Sequence, residues 1–468
     1  MLENILSDKL KDNLIGDKAF YKKVMLIIIP IIIQTTITNV VSFLDNIMVG
    51  RVGTLEMSAV AIINQLIFVF NLCIFGGLSG AGIFATQYAG AKDIDGVRNC
   101  FRMKIYICFA VLAVSIGMFT AFPQQLVGMY IAEGTSLADV DATMGFATSY
   151  LKIMVVGLIP FAISQVYSSA LRETGETKIP MYGSVVAIIV NTILNFLLIF
   201  GMCGFPRLGV IGAAIATVVS RFCEMVLIII IAHIRRDEFT FLKGVYRSFK
   251  IRSMVWKGIL KKGIPILINE FLWSLGVAMY LQCYSARGLN VVASANIAST
   301  VTNLFNVLFI ASGNAIAIMV GQCLGANDIS NAKKTVWRLI AFSFAGCVGI
   351  GVILALISGI IPQIYNTEPY VKHLATSFLL VSAALMPVVS FTHNCYFTIR
   401  SGGKTFITFI FDSGFMWVVG VPVAYLLANY TQLNIVAVYF LVNGLEFVKA
   451  IVSFVLVKNG IWISNIVK

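Results

Sequence analysis

The sequence predicts an all-α integral membrane protein of about twelve transmembrane helices, in two six-helix lobes related by a pseudo-two-fold axis along the membrane normal. Three observations carry that expectation. The chain of 468 residues is 59% hydrophobic and only 12% charged, with a mean hydropathy of +0.91, too apolar for ordinary water-soluble domains. Apolar runs long enough to cross a hydrocarbon layer of roughly 30 Å recur along the whole length. Short motifs in the first half return in the second at a nearly fixed spacing.

The runs are expected at 24–48, 57–85, 103–123, 147–169, 181–201, 208–232, 256–284, 291–319, 335–360, 374–398, 406–428 and 435–457. The first follows Lys22-Lys23, contains Pro30 and carries SFLDNIMVG near its end. The second closes on QYAGAKD, and the third follows a basic stretch that includes Arg98 and Arg102 and has Lys104 in its first turn. The fourth ends before RETGET; the fifth holds Asn191 and Asn195, and the sixth Arg221 and Glu224. The seventh contains Pro265 and Glu270, and the eighth precedes QCLGAND. The ninth carries no acid, the tenth leads into RSGGKT, the eleventh holds Asp412, and the twelfth Glu446 and Lys449. These runs exceed the alternating ten-residue segments of an outer-membrane barrel, and helices satisfy their own backbone groups in lipid.

The expected organisation is a cytoplasmic segment over 1–23, an N-terminal lobe over 24–232 and a basic linker over 233–255. A C-terminal lobe over 256–457 and a tail over 458–468 complete it. The segment 1–23 lacks the apolar core and small-residue cleavage site of a secretory signal, so it is expected to be retained. The nine cysteines are isolated, mostly in apolar runs and without a CxxC pair, and are read as small packing residues.

A net charge of +13 invites a nucleic-acid reading, and the placement of the charge argues against it. With the N-terminus cytoplasmic, 27 of the 34 lysines and arginines fall on that side or within the first two turns of a span entered from it, four on the other side and three deeper within spans. The asymmetry puts both termini of a multi-pass cell-membrane protein in the cytoplasm. The stretch RRDEFTFLKGVYRSFKIRSMVWKGILKK (235–262) interleaves bases with apolar residues. It is read as an amphipathic linker against the anionic inner leaflet, with membrane lipids as partners and no nucleic acid.

Gln87-Tyr-Ala-Gly90-Ala91-Lys-Asp93 returns as Gln322-Cys-Leu-Gly325-Ala326-Asn-Asp328, and the offset from Gln87 to Gln322 is also the offset from Pro30 to Pro265. Arg172-Glu-Thr-Gly175-Glu-Thr177 returns as Arg400-Ser-Gly-Gly403-Lys-Thr405 at a slightly shorter offset. An even number of crossings per repeat gives parallel lobes, an arrangement used for alternating access.

Intramembrane carboxylates are costly and tend to face cavities, which singles out Asp45, Glu270 and Asp412. Asn191 and Asn195, four apart, share a helix face. Asp45 with these two amides offers first-shell oxygens for a sodium ion or a shuttled proton, against the alternative of a packing cluster of hydrogen bonds. Glu270 and Asp412 each lie eight positions beyond a lysine, about 12 Å into the layer. Desolvated together, they would exchange protons for a cationic substrate; the alternative is a structural role. Arg221 with Glu224, and Glu446 with Lys449, are read as self-neutralising pairs at helical spacing.

Gly402-Gly403-Lys404-Thr405 looks like the end of a phosphate loop, but Thr398 stands where its first glycine belongs, so no nucleotide is expected. The histidines at 233, 373 and 393 form no metalloenzyme motif. Neither a cofactor nor catalysis is expected.

Together Pro30, LDNIMVGRVG, QYAGAKD, RETGET, NTILN, GIPILINEFLWSLG, FTIRSGGKT and the basic linker resemble the MATE family of multidrug and toxic compound extrusion transporters. The resemblance spans Lys22 to Lys458. It implies a twelve-helix antiporter in which Asp45, Asn191 and Asn195 form the ion or proton site, with sodium as the candidate metal. Family members often have aspartate where Asn195 stands, and some carry an acid where this chain has Val389; Asp412 is a candidate substitute. The expected function is export of amphipathic organic cations such as drugs and dyes, in exchange for sodium ions or protons, by a monomer. The rival reading is a flippase or exporter of a lipid-linked or metabolite substrate.

Overall fold

The computed structural model describes residues 14–50, 53–130, 137–365 and 367–468; side chains at 41–47, 50, 54 and 137 lie outside that description. Among the described residues the ordered elements are helical, and twelve helices are long and apolar enough to cross a membrane. The first six are α1 (Lys18–Gly50), α2 (Thr54–Gly90), α3 (Ile94–Ala121), α4 (Leu137–Glu173), α5 (Lys178–Phe200) and α6 (Val210–Ile234). Then come α7 (Ser253–Ser285), α8 (Leu289–Phe305 continuing as Val307–Gly325), α9 (Ile329–Ile357) and α10 (Pro369–Ser401), followed by α11 (Thr405–Tyr430) and α12 (Ile435–Lys458).

All twelve expected runs are recovered, and most helices outrun them. The third run starts at 94 rather than 103, because Ile94–Arg102 are helical and Val97, Cys100 and Phe101 pack inward despite the intervening charges. Helix α11 is irregular: Ile410–Gly414 and Met416–Gly420 are π-helical, so Asp412 sits in a widened turn. Pro422 follows, where a missing N–H leaves an upstream carbonyl without its helical donor.

By internal packing the chain divides into two units. An N-terminal unit comprises Ile33–Ala85 and Ile94–Ile259; a C-terminal unit takes the described residues up to Ile32, then Thr86–Asp93 and Leu260–Lys468. The first half of α1 and the last turn of α2 thus belong to the C-terminal unit. Val24, Ile27, Ile28 and Ile31 form a helical stripe buried in one cluster with Ile316, Leu339 and Trp462, which explains the first of these memberships.

Within the N-terminal unit α4 is central, packed against α3, α5 and α6; within the C-terminal unit α10 is central, packed against α8, α9, α11 and α12. Those two helices end in the related motifs RETGET and RSGGKT, and both ends close alike. Glu176 N–H reaches Leu171 O (2.9 Å) and Gly175 N–H reaches Arg172 O (2.9 Å); Lys404 and Gly403 repeat the pattern on Ile399 and Arg400. Gly175 (φ 100°) and Gly403 (φ 71°) supply the left-handed residue that this Schellman closure needs. QYAGAKD and QCLGAND close in the same way with Lys92 (φ 57°) and Asn327 (φ 61°) in the left-handed position. Their glycines serve packing instead. A Cβ on Gly90 would lie 1.9 Å from Gln322 O, and one on Gly325 would lie 1.8 Å from Gln87 O.

Gln87 is fully buried in the C-terminal unit. Its Nε2 donates to Ser401 O (3.0 Å) and Ser464 O (3.1 Å), and its Oε1 accepts from Ile466 N–H (2.9 Å). Asn465 donates to Leu324 O (3.1 Å), and Trp462, 2% exposed, packs against Gly402. Residues 462–466 thereby fasten the ends of α2, α8 and α10. Gln87→Ala strips partners from buried groups at about 1–3 kcal/mol each. The expected result is a lower unfolding temperature together with faster proteolytic trimming of the tail, and an unchanged tail would contradict it.

The linker forms two short 3₁₀ turns, Thr240–Leu242 and Val245–Arg247, folded onto α3. Phe241, Leu242 and Val245 are buried, and the Phe241 ring lies 5.7 Å from that of Phe101. Arg98 and Arg102 hold the turns by donating to the carbonyls of Phe241 (3.3 Å) and Val245 (2.9 Å). The hydrogen bond from Lys243 holds the Asp237 carboxyl below its usual range, and that from Arg235 does so for Glu238.

Candidate functional site

Among the described residues, five intramembrane charges gather in the C-terminal unit, where α7, α10, α11 and α12 meet. Helix α7 turns Asn269 and Glu270 inward. Asn269 Nδ2 donates to Asp412 Oδ2 (3.1 Å) and to the Tyr396 hydroxyl (3.3 Å), and its Oδ1 accepts from Ser413 Oγ (2.8 Å). Asp412 Oδ1 faces Lys449 Nζ at 3.1 Å, and the same ammonium reaches Glu446 Oε1 at 3.0 Å. Glu270 Oε1 lies 3.8 Å from Arg400 Nη1, whose guanidinium stands over the Phe397 ring at 5.1 Å. Close packing of α7 and α11 makes this possible: Trp417 Nε1 donates to Leu272 O (2.9 Å), while Gly276 and Gly420 receive Met416 and Tyr280.

Glu270 and its neighbour Asn269, which bonds Asp412, therefore bring both acids into one cluster, each acid beside a cation. Lys449 is shared between Glu446 and Asp412 rather than belonging to Glu446 alone. Counted as ionised, Glu270, Asp412 and Glu446 outnumber Arg400 and Lys449 by one charge.

In the N-terminal unit Asn191 and Asn195 are both buried on α5. Asn195 Nδ2 donates to Asn191 Oδ1 (3.1 Å), and Asn191 Nδ2 to Thr217 Oγ1 (3.3 Å). The Asp45 side chain lies outside the described residues, although its backbone continues α1. Arg221 pairs with Glu224 at 3.0 Å as its spacing predicts, and the chain of contacts goes further. Ser184 Oγ donates to Glu224 Oε1 (2.8 Å) and accepts from Gln34 Nε2 (3.0 Å).

Three positions of the Glu224 cluster have counterparts in the Asp412 cluster. Gln34 and Asn269 stand at the same offset as Gln87 and Gln322; Ser184 and Asp412, and likewise Arg221 and Lys449, stand at the offset of Arg172 and Arg400. The first offset is that of the early motifs and the second that of the late ones. An amide on the first helix of a half, a short polar residue on its fifth and a base on its sixth thus form the same node twice. Around these shared positions the acids differ: Asp412 stands where the first half has Ser184, Glu270 where it has Thr35 and Glu446 where it has Val218, while Glu224 falls opposite Val452.

Composition alone does not expose Lys104, which stands beside a basic loop but is fully buried, where it pairs with Glu173 and donates to Ser169 Oγ (2.9 Å). Nor does it expose Asn269, though the repeat offset from Gln34 leads to it. A separate cavity of about 720 Å³ in the N-terminal unit is lined by Glu56, Asp141, Phe146, Ser149 and Arg207 among others.

The MatE family profile matches residues 30–197 and 265–426. The two matched stretches start at Pro30 and Pro265, the pair of prolines that the repeat relates. The chain is 28% identical over 415 residues to a probable multidrug resistance protein NorM of Bacillus anthracis, covering 88% of this chain and 89% of that one. It is 26% identical over 428 residues to the probable multidrug resistance protein YoeA of Bacillus subtilis, covering 90% of each. Its fold is similar to an outward-facing multidrug resistance MATE family transporter of the MOP superfamily, with a TM-score of 0.85, 20% identity and coverage of 95% and 96%. It is equally similar, at a TM-score of 0.85 and 19% identity over 96% and 97% of the two chains, to a MOP superfamily transporter from Pyrococcus furiosus. The description of that structure reports a binding pocket of reversed polarity that suggests a different function.

Proposed function

The chain belongs to the MATE family of transporters, and from that premise we propose that it is a secondary antiporter that exports amphipathic organic cations in exchange for sodium ions or protons. The names of its relatives support drug extrusion, and the polar node of the C-terminal unit carries the rest of the reading. An acid cluster with one negative charge in excess favours occupation by one cation. A coupling ion or proton and a cationic substrate compete for that charge, so binding of one favours release of the other. Asn269, Asp412 and Glu270 supply the exchangeable oxygens, with Arg400 and Lys449 holding the carboxylates apart. Asp45, Asn191 and Asn195 form the second coupling group, with hard oxygen donors suited to sodium. Two six-helix lobes, alternately opening to each side of the membrane with both termini cytoplasmic, complete the reading, with the chain acting as a monomer.

The rival reading, a flippase of a lipid-linked phosphate, is favoured by Arg400 and Lys449, the cations such a substrate would seek. Both are already engaged with carboxylates. The weight of charge therefore points to a cationic substrate.

Ethidium efflux in everted vesicles tests this, with a sodium gradient and a proton gradient imposed separately. Wild type is expected to follow one of them, and Asp45→Asn and Asp412→Asn to lower the rate by tenfold or more at unchanged expression. Indifference to both gradients, with both variants behaving as wild type, would leave the lipid-linked substrate as the better reading.

A further inference from the structure

A cavity of about 350 Å³ opens in the N-terminal unit between the first turns of α3 and the linker, lined by Asp95, Asn99, Arg102, Lys250, Ile251 and Arg252. Its charge is unbalanced. The one acid, Asp95, is engaged by Arg98 on the same helix. Neither Lys250 nor Arg252 has an acidic partner among the described residues. Arg102 spends one N–H each from Nε, Nη1 and Nη2 on the carbonyls of Val245 (2.9 Å), Lys250 (3.3 Å) and Gly244 (3.4 Å). A guanidinium has five N–H groups, so two remain.

Asn99 supplies a second and independent observation. It is only 6% exposed, lines the cavity, and makes no side-chain hydrogen bond among the described residues. Its Nδ2 is left free to donate to an acceptor entering the cavity. The N-terminal end of the long helix α3 adds partial positive charge. A forked guanidinium, a lysine, a second arginine and an amide donor converging on one small volume suit a phosphate group.

The surroundings identify what carries the phosphate. Phe249 (47%), Trp256 (39%) and Met254 (82%) are exposed beside the cavity, just before and within the first turn of α7, a membrane-crossing helix. Tryptophan at such a junction sits at headgroup level, and juxtamembrane lysines and arginines attract anionic lipid. A soluble polyanion would gain nothing from these apolar side chains. We propose that this cavity is a binding site for the phosphate of an anionic phospholipid headgroup, held by Arg102, Lys250, Arg252 and Asn99, with the acyl chains running along the start of α7.

The proposal does not depend on what is transported. Native mass spectrometry of the full chain in detergent tests it, with dioleoylphosphatidylglycerol as the probe and dioleoylphosphatidylcholine as the neutral comparison. Wild type is expected to retain the anionic lipid preferentially, and Lys250→Ala with Arg252→Ala to weaken that retention roughly tenfold. Both are exposed, and their removal leaves the buried part of the linker in place. Lys257→Ala with Lys261→Ala, two exposed bases outside the cavity, should change it little. Asn99→Leu, which removes the amide and keeps the bulk, should lower retention while the linker stays protected from proteolysis. Equal loss in both double variants would reduce the effect to general surface charge and overturn the site. Displacement of the lipid by millimolar inorganic phosphate would identify a soluble ligand instead, and absence of any preference in wild type would end the proposal.

Discussion

Lys449→Met is expected to destabilise the C-terminal unit by about 3–5 kcal/mol, the usual cost of removing one partner from a buried ion pair. The ammonium is 13% exposed and serves two carboxylates, Asp412 at 3.1 Å and Glu446 at 3.0 Å. Methionine keeps the apolar stem but leaves both acids facing each other in a low-dielectric layer. Their proximity makes a rescue possible. In the Lys449→Met background, Asp412→Asn removes one uncompensated charge and should recover a substantial part of the loss, measured as the midpoint of thermal unfolding in detergent. A single variant as stable as wild type would mean that the ammonium does not hold these carboxylates.

Gly325→Ala should have an effect of similar size for a different reason. The added methyl would fall 1.8 Å from Gln87 O, and that oxygen belongs to a helix backbone, which cannot rotate out of the way. The counterpart, Gly90→Ala, meets Gln322 O at 1.9 Å. Either substitution forces the ends of α2 and α8 apart and pulls Gln87 from Ser401, Ser464 and Ile466. Overpacking of this kind costs about 1–3 kcal/mol or more. Because each glycine meets the residue three positions before the other, the two variants should not add: the double substitution should cost little more than the worse single one. Gly349→Ala on α9 is the control, since nothing lies within 4 Å of its added methyl. It should be neutral or slightly stabilising by helix propensity. Expression yield and unfolding midpoint distinguish the three.

Hydropathy makes the twelve helices legible because each crossing must be a long apolar helix, and charge within the layer is rare enough to be noticed. It cannot say which unit a helix end will join. Nothing in the residues preceding Pro30 marks them as packing with Trp462, since an apolar stripe is equally ready to meet any apolar partner. Partner choice among charges is hidden for a related reason. Spacing along one helix pairs Glu446 with Lys449, and only the rotation of α11 brings Asp412 to the same ammonium. Lys104 is misleading because it stands near a basic loop, yet one further turn of helix carries it inside to Glu173. The repeat holds more than its motifs alone suggest. Applied to Gln34, Ser184 and Arg221, its two offsets lead to Asn269, Asp412 and Lys449 from the sequence alone.

Gln87 has a consequence for the order in which the protein is made. Its partners at Ser464 and Ile466 lie 377 and 379 residues further along the chain, so they are synthesised long after α2 has been inserted. Ile33–Ala85 and Ile94–Ile259 supply a unit whose members are all available once Ile259 has been made. The end of α2 around Gln87 and the first half of α1 must wait through ten further crossings, with a buried amide and an apolar stripe unsatisfied. At synthesis rates of about 5–20 residues per second, that wait lasts tens of seconds. Premature termination before Ser464 would therefore leave its mark near the beginning of the protein, at Gln87, which would keep Ser401 as a partner and lose the other two.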